Sequence, residues 1–111
     1  MAIQTRREGD AAVVAVSGKL DMVTQAEFRS AVTDAMTGGA KRAVIDLAGL
    51  TYVSSAGIGA LAAIASELKG RGGDLRVANP QGNVLRIFEI CGIDKVVHVH
   101  HSVDEALAAQ A

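Results

Sequence analysis

The sequence predicts an α/β fold: a mixed, mostly parallel β-sheet opened by a β-hairpin, with about four α-helices in the order β-β-α-β-α-β-α-β-α. Three observations predict it. Short runs rich in Val, Ile and Ala alternate with segments whose apolar residues recur at helical spacing. Glycine or Asn-Pro closes nearly every run, and two of the helical segments open on a capping-box spacing.

The first strand is expected near Ile3 to Arg7, followed by a turn at Gly9-Asp10 and a Val-rich strand from Ala11 to Ser17 that stops at Gly18. Thr24-Gln25-Ala26-Glu27 has the capping-box spacing, and Phe28, Val32, Ala35 and Met36 carry a helix to Gly38-Gly39. Arg42 to Leu47 is short, branched and apolar apart from Asp46, as a parallel strand covered on both faces should be. A loop then leads into a helix from about Ser55 to Lys69, with Ile58, Leu61, Ala62, Ala65 and Leu68 on one stripe. Leu75 to Ala78 reads as the next strand, ended by Asn79-Pro80. The helix after it places Val84, Leu85, Phe88 and Cys91 inward before Gly92. Val96 to His100 is the last strand, and Ser102-Val103-Asp104-Glu105 repeats the capping spacing ahead of an Ala-rich helix.

A length of 111 residues with 50% hydrophobic and 21% charged residues suits a single domain, spanning 1–111, that buries roughly two thirds of its unfolded surface. The formal net charge is -1, the eleven basic residues are scattered, and there is no Trp to stack on bases, so nucleic acid is not an expected partner. The longest apolar run, Ala56 to Ala65, falls short of the roughly 20 residues that cross a bilayer, and no membrane insertion is expected. The first eight residues lack the apolar core of a secretion signal, and the single Cys91 has no internal disulfide partner. A cytoplasmic location is the expectation.

Right-handed crossovers make the strands after the hairpin parallel, so their carboxyl ends should share one rim, where sites in open α/β sheets usually lie. That rim is expected to bring together Asp21, Asp46, Ser54, Ser55 and Asn79. The serines open a helix, whose first turn has unpaired backbone N–H groups and partial positive charge, a setting that receives or displays an anion. A serine there is also a favoured N-cap, which is the reading for Ser54. Gly57 and Gly59 each cost the helix about 0.8–1 kcal/mol relative to Ala. Clearance for a partner's active site and close packing on the sheet are both open as compensation. Asp46 is read as securing its turn, and the more exposed Asp21 as a contact for a partner.

Val44-Ile45-Asp46-Leu47 followed by Tyr52-Val53-Ser54-Ser55-Ala56-Gly57-Ile58-Gly59 resembles the signature of the STAS domain family, shared by anti-sigma-factor antagonists and the cytoplasmic tails of sulfate transporters. Gly18-Lys19-Leu20-Asp21 and Leu85 to Ile93 are similar to weaker patterns of that family. The resemblance covers nearly the whole chain. It implies a non-enzymatic switch in which Ser55 is phosphorylated by a serine kinase that is also the anti-sigma factor. Bare Ser55 would hold that kinase and free the sigma factor; the phosphoserine would release it, and a phosphatase would restore the hydroxyl. The family's preceding Asp is Ser54 here, which makes Ser54 a second candidate acceptor, and its second serine is Ala56. The implied contact surface is Asp21 with Ser54, Ser55, Ala56, Gly57, Ile58 and Gly59. The alternative implied role is a constitutive STAS subunit of a lipid or anion transporter complex.

Other constellations fit less well. Gly57 to Ala62 matches G-x-G-x-x-A, but about ten residues separate it from Asp46, and Asn79 rather than an acid closes the next strand. Asp46 ends a strand as the acceptor of a receiver domain does, yet the acidic pair and the Lys of that pocket are missing. His98, His100 and His101 cluster without a Cys or acidic ligand placed beside them, and Cys91 has no predicted base. No catalytic residue, cofactor or metal site is expected.

Overall fold

A computed structural model describes residues 1–109. The elements run β1 (Ala2–Glu8), β2 (Ala11–Leu20), α1 (Gln25–Ala35), β3 (Arg42–Val53), α2 (Ser55–Gly70), β4 (Asp74–Ala78) and α3 (Gly82–Cys91). A 3-10 turn (Ile93–Lys95), β5 (His98–His100) and α4 (Val103–Ala108) follow. The five strands lie in the order β1-β2-β3-β4-β5, with β1 antiparallel to β2 and every other pair parallel. The predicted order of elements is therefore the observed one.

The pleat sends successive side chains to opposite faces, and the two faces carry separate clusters. Val14, Val16, Ala43, Ile45, Leu47, Leu75 and Val77 face one way, against Phe28 and Val32 of α1, Leu61, Ile64 and Leu68 of α2, and Val84 and Phe88 of α3. Burying each of the larger of these side chains contributes about 1.5–3 kcal/mol. Val13, Val44 and Ala78 face the other way and are covered by Val103, Ala106 and Leu107 of α4.

That second face also holds the one buried charged side chain among the described residues, Arg76, at 1% exposure. Its Nε donates to Asp74 Oδ2 at 3.1 Å, and its Nη1 donates to the carbonyls of Ala106, at 2.7 Å, and Ala109. Arg42 Nη1 donates to the Leu107 carbonyl at 2.9 Å. A helix end leaves its last carbonyls without intrahelical donors, and here two sheet arginines satisfy them.

Several local expectations are corrected. The third strand does not end at Leu47 but runs on to Val53. Its pairing with β2 jumps from Ala15↔Asp46 to Ser17↔Gly49 and again from Gly18↔Leu50 to Lys19↔Tyr52. These are bulges, which insert extra residues without ending the ladder. A Cβ at Gly49 would lie 2.8 Å from Ser17 Cβ, so glycine marks the tight point of a strand there rather than a loop.

Thr24 makes no side-chain cap to α1, so the first capping box is not formed. Ser102, in contrast, caps α4 by accepting from Glu105 N at 3.0 Å. The last strand begins at His98, and Val96, at 65% exposure, belongs to the turn before it. Cys91 is exposed, as is Leu85, because the buried stripe of α3 consists of Val84 and Phe88 alone.

Candidate functional site

The carboxyl ends of β2 and β3 lie side by side, where the Ser54 N–H donates to the Leu20 carbonyl at 2.9 Å. That bond aligns two loops: Asp21 to Thr24, leading into α1, and Ser54, leading into α2. Ser54 is extended, with φ -96° and ψ 175°, and its Oγ accepts from the Gly57 N–H at 3.3 Å while its carbonyl accepts from Ile58 N at 2.9 Å. It is therefore the N-cap of α2, as read from the sequence.

With Ser54 capping, Ser55 is the first helical residue and is exposed. Among the described residues no group hydrogen-bonds its hydroxyl. The two serines thus divide the work: one closes the helix and the other presents an oxygen to solvent, at the positive end of a 16-residue helix.

The glycines behind them are not equivalent. A Cβ at Gly57 would lie 2.5 Å from the Leu20 carbonyl oxygen and 2.9 Å from both Leu20 Cγ and Val53 Cγ2, so close packing of α2 on the strand ends requires glycine. A Cβ at Gly59 would meet nothing within 4 Å. Packing accounts for Gly57, and the exposed Gly59 leaves open space beside Ser55 and the half-buried Ala56 and Ile58.

Asp21 is tied into its own loop. Its Oδ1 accepts from Val23 N at 3.0 Å and Thr24 N at 3.1 Å, and its carbonyl accepts from Gln25 N at 2.9 Å. Thr24 Oγ1 donates to the Lys19 carbonyl at 2.7 Å and accepts from Asp21 N at 3.1 Å. The Asp21 carboxylate thus closes the turn that leads into α1, and no side chain caps α1 itself. The Thr24 N–H, followed by that of Val23, holds the Asp21 carboxyl below the usual aspartate range.

What this loop presents outward is apolar. Met22 is 78% exposed and Val23 87%, the two most exposed large hydrophobic side chains among the described residues. Sequence reasoning missed them; the available signal was two apolar residues standing between a capping Asp and Thr, outside any helical or strand period.

A model of the STAS domain family matches residues 2–106. The chain belongs to the STAS domain family. Among STAS relatives, a Mycobacterium tuberculosis protein named as an anti-anti-sigma factor is 31% identical over 105 residues, covering 93% of this chain and 71% of that one. The anti-sigma-F factor antagonist RsfA of the same organism is 29% identical over 101 residues, 89% of this chain and 79% of its own. The crystal structure of an anti-sigma factor antagonist from Mycobacterium paratuberculosis superposes with a TM-score of 0.85 at 28% identity, covering 96% of this chain and 90% of the other.

The STAS rim does not gather all the residues expected on it. Asp46 lies where β4 ends, and its Oδ1 accepts from Ala48 N and Asn79 Nδ2, each at 3.1 Å. The reading of Asp46 as a turn-securing group fits these bonds. But β2 advances five residues from Ala15, beside Asp46, to Leu20, beside the serine loop, on the order of 15 Å of strand. Asp46 and Asn79 form one group, and Asp21, Ser54 and Ser55 another. The long β3 also removes one argument against the dinucleotide motif, since only Ser54, Ser55 and Ala56 separate the strand from Gly57; Asn79 after β4 still stands where that motif needs an acid.

The histidines serve the α4 junction. His98 and His100 have ring centroids 6.4 Å apart, and His100 Nδ1 lies 3.3 Å from Glu105 Oε1. Among the described residues no three His, Cys, Asp or Glu side chains converge as a metal site. No helix there is long and apolar enough to cross a membrane.

Proposed function

We propose that this chain is an anti-sigma-factor antagonist whose binding to an anti-sigma-factor serine kinase is switched by phosphorylation of Ser55. One observation carries the reading: the Ser55 hydroxyl stands exposed at the start of α2 while Ser54 supplies the cap, so a kinase can reach Ser55 without undoing the helix. The names of the mycobacterial relatives support the same class of activity. Ser54, engaged with the Gly57 N–H, is the poorer acceptor.

In the bare state the partner meets a neutral hydroxyl and, from the loop that the Ser54–Leu20 bond aligns with it, the exposed apolar Met22 and Val23. Phosphorylation adds about -1.5 to -2 charges at pH 7, which the N-terminus of α2 tolerates and an apolar or acidic partner surface does not. Each 1.4 kcal/mol of that penalty weakens docking about tenfold. The kinase supplies nucleotide and catalytic groups, a phosphatase reverses the step, and release of the kinase from its sigma factor is the output.

The test is co-incubation with the candidate kinase and ATP, phosphate location by mass spectrometry, and affinity measurement for Ser55→Ala and Ser55→Asp. The expected result is phosphate on Ser55, tight binding by the Ala variant and weak binding by the Asp variant. Equal affinities for the two variants overturn the switch.

A further inference from the structure

On the far edge of the sheet from β5, β1 is an outer strand that pairs with β2 along all seven of its residues without a bulge. Its other edge meets no strand among the described residues, and apart from Ile3 its side chains are exposed. A straight, unbulged edge is a ready template for another strand. Beside it, between β1 and α1, runs a groove of about 510 Å³. Ile3 and Thr5 of β1 and Ala31 and Ala35 of α1 line it, and Glu27 and Asp34 stand along the helix side.

Glu27 and Asp34 are seven residues apart, two turns of one helix face and about 10 Å. Both are exposed, and neither forms an ion pair among the described residues. On the groove's face of the sheet, Arg29 pairs with Glu67 at 3.4 Å and Arg7 donates to the Thr37 and Gly38 carbonyls, while the pleat places the exposed Arg6 of β1 on the opposite face, outside the groove lining. The groove therefore offers unpaired backbone on one side, two free carboxylates on the other, and a small apolar floor between.

We infer that this groove docks an extended, basic segment of a protein partner, which adds a strand to β1 and sets its basic side chains against Glu27 and Asp34. Strand residues on one face recur every 6–7 Å, so bases four residues apart span about 13 Å, and long flexible stems close the difference from the carboxylate spacing. The residue midway between them falls on the floor of Ile3 and Ala31, where a branched apolar side chain fits. Backbone pairing supplies the affinity of such a contact and the side chains its selectivity. The surface belongs to a different edge of the sheet from the serine loop, so the inference stands independently of the phosphorylation switch.

The probe is a capped heptapeptide with lysine at its second and sixth positions, valine at its fourth and threonine elsewhere. It is titrated into the full isotope-labelled chain while backbone amide shifts are followed. The control peptide has the same charge, with proline in place of threonine so that it cannot pair as a strand. The expected result is saturable shifts confined to β1 and α1, absence of those shifts with the proline peptide, and binding about tenfold weaker in the exposed double variant Glu27→Lys, Asp34→Lys, with an unchanged melting temperature. The inference is overturned by no saturable shift, by equal binding of the proline peptide, or by affinity unchanged in the double variant. It is likewise overturned if the chain doubles its mass with concentration and shifts β1 amides without peptide, since the edge is then taken by a second copy.

Discussion

The Ser54 N–H donates to the Leu20 carbonyl at 2.9 Å, and through that single bond the serine that opens α2 and the loop that opens α1 become one surface. Met22 and Val23 are therefore part of the same face as Ser55, although more than thirty residues separate them in sequence. Val23→Asp places a charge on that face without touching the core. It is expected to leave stability within about 0.5 kcal/mol of the parent, as surface changes do, and to weaken binding of the proposed kinase partner at least tenfold. Thermal melts and titration calorimetry check the two halves.

The two glycines of the serine loop should respond oppositely to alanine. Gly57→Ala drives a Cβ into the Leu20 carbonyl and two side chains, and overpacking of this kind costs about 1–3 kcal/mol or more. Gly59→Ala meets no atom within 4 Å and gains helix propensity, about 0.5–1 kcal/mol of stability. Urea unfolding of both variants decides the matter, with the gap between their midpoints as the readout.

The order of elements was legible because each segment had a clear period and a clear stop: Val13 to Val16 reads as strand, Leu61 to Leu68 as helix, and Gly92, at φ 74°, ends α3. Asp46 to Val53 was not legible as continuous strand. Ala48-Gly49 looks like a turn in one dimension, and only pairing with β2 through two bulges keeps it extended. Separating Asp46 and Asn79 from Ser55 followed directly from that length. The cap of α1 failed for a related reason, since the Thr24 hydroxyl is taken up by the Lys19 carbonyl and the Asp21 N–H while the Asp21 carboxylate holds the turn before the helix. The burial of Arg76 was not legible: Asp74, two residues before it on the same strand face, accounts for its Nε, but its Nη1 is held by carbonyls of α4, and carbonyls have no sequence signature.

The depressed Asp21 carboxyl ties the stability of the α1 end to pH. With a native pKa below the unfolded one, the unfolded chain takes up the proton first on acidification. The contribution of Asp21 is fully present above the ordinary aspartate value, near 4, and is lost as the pH falls through the lower native value. Asp21→Asn cannot make that contribution at any pH. The variant is expected to be less stable than the parent at neutrality and to converge with it as the pH falls through the lowered native value. Paired denaturation curves from pH 2.5 to 7 measure the difference, in which the similarly lowered Glu105, held by the His101 N–H, cancels.

Arg76 fixes α4 rather than the serine loop, and Arg76→Met should show it. The methionine fills similar volume but leaves the Ala106 and Ala109 carbonyls without their donor and Asp74 without its cation. Each buried acceptor left unsatisfied costs about 1–3 kcal/mol, while Asp74, partly open to water, recovers much of its own loss. A global destabilisation of about 2–4 kcal/mol is expected, with amide exchange in Val103–Ala108 accelerated more than in α2. Arg42→Met removes one bond to the Leu107 carbonyl and a 3.7 Å ion pair with the exposed Asp10, both from a half-buried position, so its effect should be smaller. Binding at Ser55 should survive both changes wherever the chain remains folded, because α4 packs on the face of the sheet opposite α2. Loss of binding to the proposed kinase partner in folded Arg76→Met would mean that the two faces of the sheet are coupled.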